Sequence, residues 1–588
     1  MMLTCSVCLV LAVVQVGFTT ACFSSVTCAQ QSLYSESKLI HFWEDIWVKI
    51  DTITAEVVPE LKLFEEFIRE TRVENTAALS AVSYVENPIN LFHLAKRLSS
   101  VWPYKLDDLY AALERENDEN EKAGYVDDDG EDEDGDECWA LESNTVPVYH
   151  QRPKRRESFK HIEGFIEKSI QAVSGKYWMN ERDFNGAQNA VFQTERVYHI
   201  SIDQLLRGQL IDGVSVKPLT TEDIYLIADF AVNNHLTGQV DAERWARKWV
   251  ELKNLTNPEE SDVTNIVLAK WLNAKGDPYE AHDVILTVKD TYSNKTEIEQ
   301  LIENFKSQFN RGVCVTHPKL AKLYRIVQTY GELCRATSFV GNQNVEISNT
   351  LFCRYEKTSI PYIRSLVEYA NWDPVIKIYH KVVSDSEITR VQALGKPFMK
   401  TGKVGTKADG GESFERHSDV AWISYHRSPL VTKLMNRIQM ITGLSTMIRL
   451  PRAGRTLQFH VEQLQLANYG PGGFYEPHYD SPLAYGLGLR SFTTGRTPVF
   501  SERLATWMFY LSDVVHGGRT VFTMLNVSVP VTKGSAVFWW NLYRNGQADK
   551  RMMHAGCPVL LGSKWVANLW ILEEGQMFRR SCATDKDM

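Results

Sequence analysis

The chain has 588 residues, more than a single hydrophobic core organises, so about two to four domains are implied. Hydrophobic residues at 44% and charged residues at 23% are ordinary for a soluble globular protein. A net charge of −9 argues against a nucleic-acid partner, and no run beyond the first 29 residues is long and apolar enough to span a membrane.

Residues 1–29 stand apart. "CSVCLVLAVVQVGF" is an apolar stretch too short for a comfortable membrane span, and Thr19/Ala21 or Thr27/Ala29 supply small-residue cleavage pairs. This pattern reads as a secretory signal peptide. Four of the ten cysteines lie in it, leaving Cys138, Cys314, Cys334, Cys353, Cys557 and Cys582 for an oxidising compartment. Sequence alone does not give their connectivity. Sequons at Asn254, Asn294 and Asn526 agree with that route, and the closing "CATDKDM" carries no retrieval tetrapeptide.

From Ser35 to Arg72 the apolar positions Trp43, Ile46, Ile50, Ile53 and Val57 recur at steps of three and four, and Leu61, Phe64 and Ile68 resume after Pro59. Residues 30–116 are therefore expected to be helical, as an amphipathic hairpin or a coiled-coil dimerisation arm. Asp127–Glu137 has nine acidic residues in eleven and, with the basic "RPKRRE" after it, marks a linker over 117–160. Residues 185–310 return to helices, with Thr220 and Asp223 at capping-box spacing. Their "AKGDPYEA" turn resembles that of tetratricopeptide repeats, which suggests a helical peptide platform. A connecting segment, 311–371, leads to 372–582, where "EQLQLANYG", "RLATWMFYLSDV", "KGSAVFWWNLY" and "SKWVANLWIL" read as strands of a jelly roll. "SDVAWISYHRSPLVTKLMNRIQMITGL" reads as a helix pair outside that barrel.

Within the β region, "GGFYEPHYDSP" places His478 and Asp480 two positions apart, facing one way and roughly 7 Å apart if the stretch is a strand. Two histidines and a carboxylate on one face of an ion leave the other face open, the ligand set of non-haem Fe(II) oxygenases. His554, at the start of a later strand, is the best third ligand. His516 reads as an exposed turn residue, His460 precedes a strand, and His417 and His426 fall in the stretch read as helical. Lys564 follows His554 by ten residues and shares a strand face with Val566, Asn568 and Trp570. A lysine inside a barrel needs an anion. Beside a divalent metal, 2-oxoglutarate meets that need, chelating at one end and ion-pairing at the other.

The strings "ANYGPGGFYEPHYD" and "HAGCPVLLGSKWVANLWILEEGQMFRRSC" resemble the catalytic domain of collagen prolyl 4-hydroxylase α subunits. So do "TWMFYLSDVVHGGRTVF" and "KGSAVFWWNLY", and, upstream, "GELCRATSF…LFCRY" and "NPINLFHLAKRLSSVW". The resemblance implies all-α N-terminal and central TPR-like regions, then a C-terminal double-stranded β-helix dioxygenase domain. It implies hydroxylation of proline in X-Pro-Gly repeats of collagen-like chains, with 2-oxoglutarate decarboxylated to succinate and O2, Fe(II) and L-ascorbate required. It makes His478, Asp480 and His554 the metal ligands and Lys564 the partner of the distal carboxylate. Tyr469 and Thr506 would support that carboxylate, Tyr475 and Trp570 would line the substrate site, and disulfides would join Cys334 to Cys353 and Cys557 to Cys582. Protein disulfide isomerase would be the β subunit of an α2β2 tetramer in the endoplasmic reticulum lumen.

Two positions depart from that family. Leu572 stands where the family has a histidine that orients 2-oxoglutarate, and the platform stretch "DFAVNNHLTGQVDAERWARKWVEL" has no tyrosine, offering Trp245 and Trp249 instead. Another secreted proline-rich substrate, or a weakly active regulatory subunit, are the alternative readings.

Overall fold

The computed structural model describes residues 22–48, 59–81, 83–122, 152–175, 177–211, 213–234, 239–256, 261–274, 277–309, 318–336, 353–402, 415–449, 458–486, 491–493 and 498–584. Most of the leader, the acidic run, Cys138, Cys314, Ile50, Ile53 and Val57 lie outside them. The chain divides into two compact units, one made of 27–84 and 93–184, the other of 1–26, 85–92 and 185–588.

The smaller unit is helical. Val26–Trp47 and Pro59–Ser80 bury the seam residues Trp43, Ile46, Leu61, Phe64 and Ile68. Trp43 meets Phe64 edge-on at 4.7 Å between ring centroids, so this part of the seam is satisfied within one chain. Glu36 is fully buried and accepts hydrogen bonds from Arg97 Nε (2.6 Å), Trp102 Nε1 (2.9 Å) and Asn75 Nδ2 (2.8 Å). Such pairing is what makes a buried carboxylate tolerable. Helices Trp102–Lys122 and Arg152–Val173 run into both ends of the stretch that composition assigns to the linker. Among the described residues, no helix is long and apolar enough to cross a membrane.

The larger unit begins with helices. Thr221–Asn234, Gln239–Thr256, Ser261–Ala274, Pro278–Thr287 and Lys295–Phe309 each pack on the next. The expected box is present: Thr220 N donates to Asp223 Oδ2 (2.9 Å) and Asp223 N to Thr220 Oγ1 (3.2 Å). Asp277 caps the helix after the "AKGDPYEA" turn by accepting from Glu280 N at 3.0 Å. Trp245 and Trp249 are core residues, and Trp249 clusters with Trp271 and the half-buried Tyr225.

The C-terminal region is a jelly roll of two facing sheets. In chain order its strands are β1 (Cys353–Lys357), β2 (Arg364–Asn371), β3 (Ile376–His380), β4 (Lys400–Thr401), β5 (Asp419–Ile423), β6 (Leu464–Tyr469), β7 (Tyr475–His478), β8 (Arg503–Tyr510), β9 (Thr520–Phe522), β10 (Val527–Val529), β11 (Ala536–Trp540), β12 (His554–Gly556) and β13 (Lys564–Leu572). The large sheet runs β1-β2-β3-β11-β8-β13-β6-β5-β4 and the small one β7-β12-β9-β10, every pairing antiparallel. Period two sorts the large sheet's side chains. Leu466, Trp507 and Leu569 pack outward with Ile388, Leu430 and Leu434 of helices Asp385–Gly395 and Pro429–Thr442. Ala467, Met508 and Val566 pack inward with Phe522, Val527 and Val529 of the small sheet.

Three expectations change. The stretch read as a helix pair is strand β5 followed by one long helix, because "DVAWI" alternates and its Ala421 and Ile423 are buried. The sheet starts at Cys353, so β1 and β2 lie in what composition reads as a connector. Cys22 and Cys28 are disulfide-bonded, and a further disulfide joins Cys334 to Cys557, with Cα atoms 5.6 Å apart, while Cys353 and Cys582 are exposed thiols. Helix Pro318–Cys334 ends against the small sheet, where Cys334 packs with Ala555 and Cys557; that proximity decides the pairing. Non-reducing digestion is expected to yield a Cys334–Cys557 cross-linked peptide, with Cys353 and Cys582 alkylated before reduction; a Cys334–Cys353 peptide would refute this connectivity.

Candidate active site

Strands β7 and β12 pair so that His478 and His554 sit directly opposite each other, their rings 4.3 Å apart. The strand ends at His478, and Asp480 occupies the bend just after it. There the backbone leaves the ladder: Tyr479 N donates to the Tyr485 hydroxyl (2.8 Å) instead of to a neighbouring strand. Side-chain donors of His478, Asp480 and His554 nevertheless fall within 4.8 Å of one another. His478 Nδ1 lies 2.8 Å from Glu476 O and His554 Nδ1 lies 3.1 Å from Met552 O. Bonding to a carbonyl assigns the hydrogen to Nδ1 in both rings and leaves Nε2 with its lone pair, as metal ligation requires. Burial, reinforced by His554, holds His478 well below the usual imidazole range and therefore neutral. Burial alone pushes Asp480 up, but the pull of His554, His478 and Arg503 and the Thr506 hydrogen bond together bring it below its ordinary value. Two imidazole nitrogens and a carboxylate fit Fe(II).

Lys564 is 3% exposed on the inner face of β13, and burial pushes its ammonium down to about 7. Among the described residues no carboxylate pairs with it; its Nζ donates to Thr520 Oγ1 at 3.2 Å. Thr520 also accepts from the Tyr510 hydroxyl (2.8 Å), which leaves its own O–H free to donate. Tyr469 lies across from Lys564 in the β6–β13 ladder, its ring 5.7 Å from Nζ. Lysine, threonine and tyrosine thus form a cradle for a carboxylate in the pocket that the three ligands also line.

Thr506 has a different partner from the one expected. It donates to Asp480 Oδ2 at 2.6 Å and accepts from Asn541 Nδ2 at 2.9 Å, so it holds Asp480, and Thr520 takes the place beside Lys564. The two threonines face inward from opposite sheets, Thr506 from β8 and Thr520 from β9, and linear sequence does not rank them. Tyr475 stacks on His478 (3.5 Å between centroids) with Arg416 over its other side at 4.9 Å. Trp570 lines the same pocket under Arg503, whose guanidinium is 3.8 Å from its ring centroid and is held by Glu462 at 2.5 Å. Arg416, Arg503, Glu462 and Asn541 escape motif reading, because each acts through a contact between distant strands. His516 is exposed, His460 is tied to Ser445 (2.6 Å), and His417 is buried apart from the triad, against Phe23. Leu572 is fully buried, paired across the sheet with Arg503.

Residues 464–572 match the 2OG-Fe(II) oxygenase superfamily. Prolyl 4-hydroxylase subunit alpha-3 of Mus musculus is 32% identical over 440 residues, 69% of this chain and 76% of that protein. This chain belongs to the prolyl 4-hydroxylase alpha subunit family. The Homo sapiens alpha-1 subunit is 29% identical over 595 residues, 94% of this chain and 95% of its own length. A solved viral collagen prolyl hydroxylase from Paramecium Bursaria Chlorella virus-1, in complex with 2OG, aligns over 34% of this chain and 95% of its own at 22% identity and a TM-score of 0.24. As a prolyl 4-hydroxylase alpha subunit the chain is a 2-oxoglutarate- and Fe(II)-dependent dioxygenase, and its jelly roll is the oxygenase domain.

Two outcomes test these assignments. Thr506→Val is expected to weaken Co(II) binding about 10- to 100-fold by visible absorption titration, while Thr520→Val leaves it unchanged and weakens 2-oxoglutarate instead. The Lys564 cation is the binding form, and it predominates below about pH 7. Affinity for 2-oxoglutarate should therefore be full below that pH and fall about tenfold per unit above it. Calorimetry in buffers of different ionisation enthalpy should register uptake of close to one proton at about pH 8 and almost none at about pH 6, with Lys564→Met abolishing the difference.

Proposed function

We propose that this alpha subunit hydroxylates C4 of proline in X-Pro-Gly repeats of collagen-like chains, with His478, Asp480 and His554 holding Fe(II). Lys564, Thr520 and Tyr469 hold the distal carboxylate of 2-oxoglutarate. The observation that carries the reading is the buried, carboxylate-free Lys564 in one pocket with the His-Asp-His cluster. Fe(II), 2-oxoglutarate and O2 supply the oxidising chemistry; the chain positions and shields it. Thr506 and Asn541 orient Asp480, and the Nδ1–carbonyl bonds would leave both Nε2 lone pairs to hold the metal. Tyr475, Trp539 and Trp570 wall the pocket, and the Trp570 Nε1–H, buried without a partner among the described residues, is a donor for a peptide carbonyl.

The rest of the chain has roles in this proposal too. Helices 185–310 take the proline-rich peptide, with the half-buried Tyr225, braced from within by the buried Trp249 and Trp271, as the ring that a polyproline II segment packs on. Residues 30–116 serve subunit pairing, and protein disulfide isomerase completes an α2β2 tetramer in the endoplasmic reticulum lumen. Asn254, Asn294 and Asn526 are exposed and are proposed glycan acceptors. Leader cleavage is placed after Ala21, since a cut after Ala29 would remove Ser24, whose hydroxyl bonds Asp419 at 2.6 Å.

The test is succinate release by the mature chain co-expressed with protein disulfide isomerase, supplied with Fe(II), L-ascorbate and a Pro-Pro-Gly repeat peptide. Peptide-stimulated turnover is expected, absent in His478→Ala and recovered only at much higher 2-oxoglutarate in Lys564→Ala. Turnover stimulated by another proline-rich peptide but not by this one would remove the collagen assignment and keep the chemistry.

A further inference from the structure

Cys22–Ser24 forms a single 3-10 turn whose residues are all buried. The turn belongs to the larger unit, where distant segments of the chain close around it. Phe23 meets His417 edge-on, 3.9 Å between ring centroids, and packs over Gly186 of helix Glu181–Tyr198. A Cβ on Gly186 would lie 2.2 Å from that ring, so the glycine is what admits it. Ser24 Oγ donates to Asp419 Oδ1 at 2.6 Å, and Ser24 O accepts from Asn468 Nδ2 at 3.2 Å. Gly470 leaves room in the same way, since a Cβ there would lie 2.6 Å from Ser24 O. The glycines and the directed hydrogen bonds make a socket fitted to this turn.

The socket backs onto the carboxylate cradle. Asp419 and Asn468 are paired in the β5–β6 ladder, so Ser24 bonds both members of one cross-strand pair. Asn468, 3% exposed, directly precedes Tyr469, and its Oδ1 accepts from Ser563 Oγ at 2.7 Å. Ser563 directly precedes Lys564. The Asn468–Ser563 bond therefore ties β6 to the start of β13 beside the Tyr469–Lys564 pair. One carboxamide serves both contacts: Ser24 fixes Nδ2, and that aims Oδ1 at Ser563. Without the turn a buried N–H would lose its acceptor, and rotation of the amide to recover one would release Ser563.

We propose that Cys22–Ser24 is a positioning element of the 2-oxoglutarate site. Seated in its socket, the turn holds Asn468 and Ser563 together and so sets the spacing of Tyr469 and Lys564. This role rests on that cradle taking the distal carboxylate and on leader cleavage after Ala21. Leader processing then bears on catalysis: a chain trimmed beyond Ser24 would keep its metal ligands and lose affinity for the cosubstrate.

Calorimetric titration of 2-oxoglutarate into the Co(II)-loaded mature chain, paired with protein disulfide isomerase, tests this. Ser24→Ala is expected to weaken 2-oxoglutarate about threefold to tenfold, as is Gly186→Ala, which evicts Phe23 while favouring the helix. Co(II) affinity and, in the Fe(II) enzyme, the KM for the Pro-Pro-Gly peptide stay unchanged. In a Lys564→Met background neither substitution has a further effect, because the spacing it disturbs no longer holds a carboxylate. Ser24→Ala removes a single hydroxyl and carries the test should Gly186→Ala not fold. The role falls if Ser24→Ala binds 2-oxoglutarate like the parent, or if metal and peptide affinities drop in step. It also falls if the loss persists in full without Lys564, or if the mature chain starts beyond Ser24 and binds 2-oxoglutarate as tightly as one retaining it. Lys564→Met binding 2-oxoglutarate like the parent would instead overturn the cradle itself, and this role with it.

Discussion

A lysine buried without a carboxylate among the described residues is the constraint on which the pocket depends. Lys564 gives up most of its hydration inside the barrel, and its retained partners are a hydroxyl and two aromatic faces. A polar group so placed is unfavourable until an anion arrives. The surroundings are arranged for that arrival: Thr520 keeps a free proton, Tyr469 sits across the ladder, and the metal donors lie on the facing sheet. The free protein therefore holds part of its binding energy as an unmet electrostatic need, which selects a ligand with a carboxylate at one end and a chelating group at the other.

Helices outside the barrel support this arrangement at the strand that carries His554. The Tyr330 hydroxyl donates to Gly556 O at 3.2 Å, the Tyr198 hydroxyl to Pro558 O at 2.6 Å, and the Cys334–Cys557 bond lies between them in sequence. From the other side Arg196 and Gln193 reach Glu476, two residues before His478, at 3.5 and 3.4 Å. The strands of His478 and His554 are thus buttressed by helices that sequence reading assigns to, or borders on, the peptide platform.

Legibility in the sequence followed the range of the physics involved. His478, Asp480, His554 and Lys564 were readable because strand alternation and ligand chemistry are local rules, and the jelly roll was readable from close-spaced alternating segments. The β5 strand was not, since "DVAWI" runs without a glycine into a helix-rich stretch and its alternation is only five residues long. Thr520 was missed for Thr506 because both face inward, and only the approach of Lys564 to one and of Asp480 to the other tells them apart. Cysteine connectivity was left open by the sequence, and the structure joins Cys334 to Cys557 rather than the pairs the resemblance implies, across a separation of 223 residues that leaves no trace in spacing.

The placement of Asp480 off the end of its strand has a mechanical side. His478 and His554 belong to the small sheet, whereas Asp480 is gripped by Thr506 of the large one and, through it, by Asn541 just past the end of β11. The donor set consequently straddles the seam of the sandwich. An ion seated there would act as a clasp between the two sheets, so any breathing motion that parts them would have to open the coordination sphere. Loading the centre would then tighten the whole domain, and slow exchange of core amides in β8 and β12 would report occupancy as directly as turnover does.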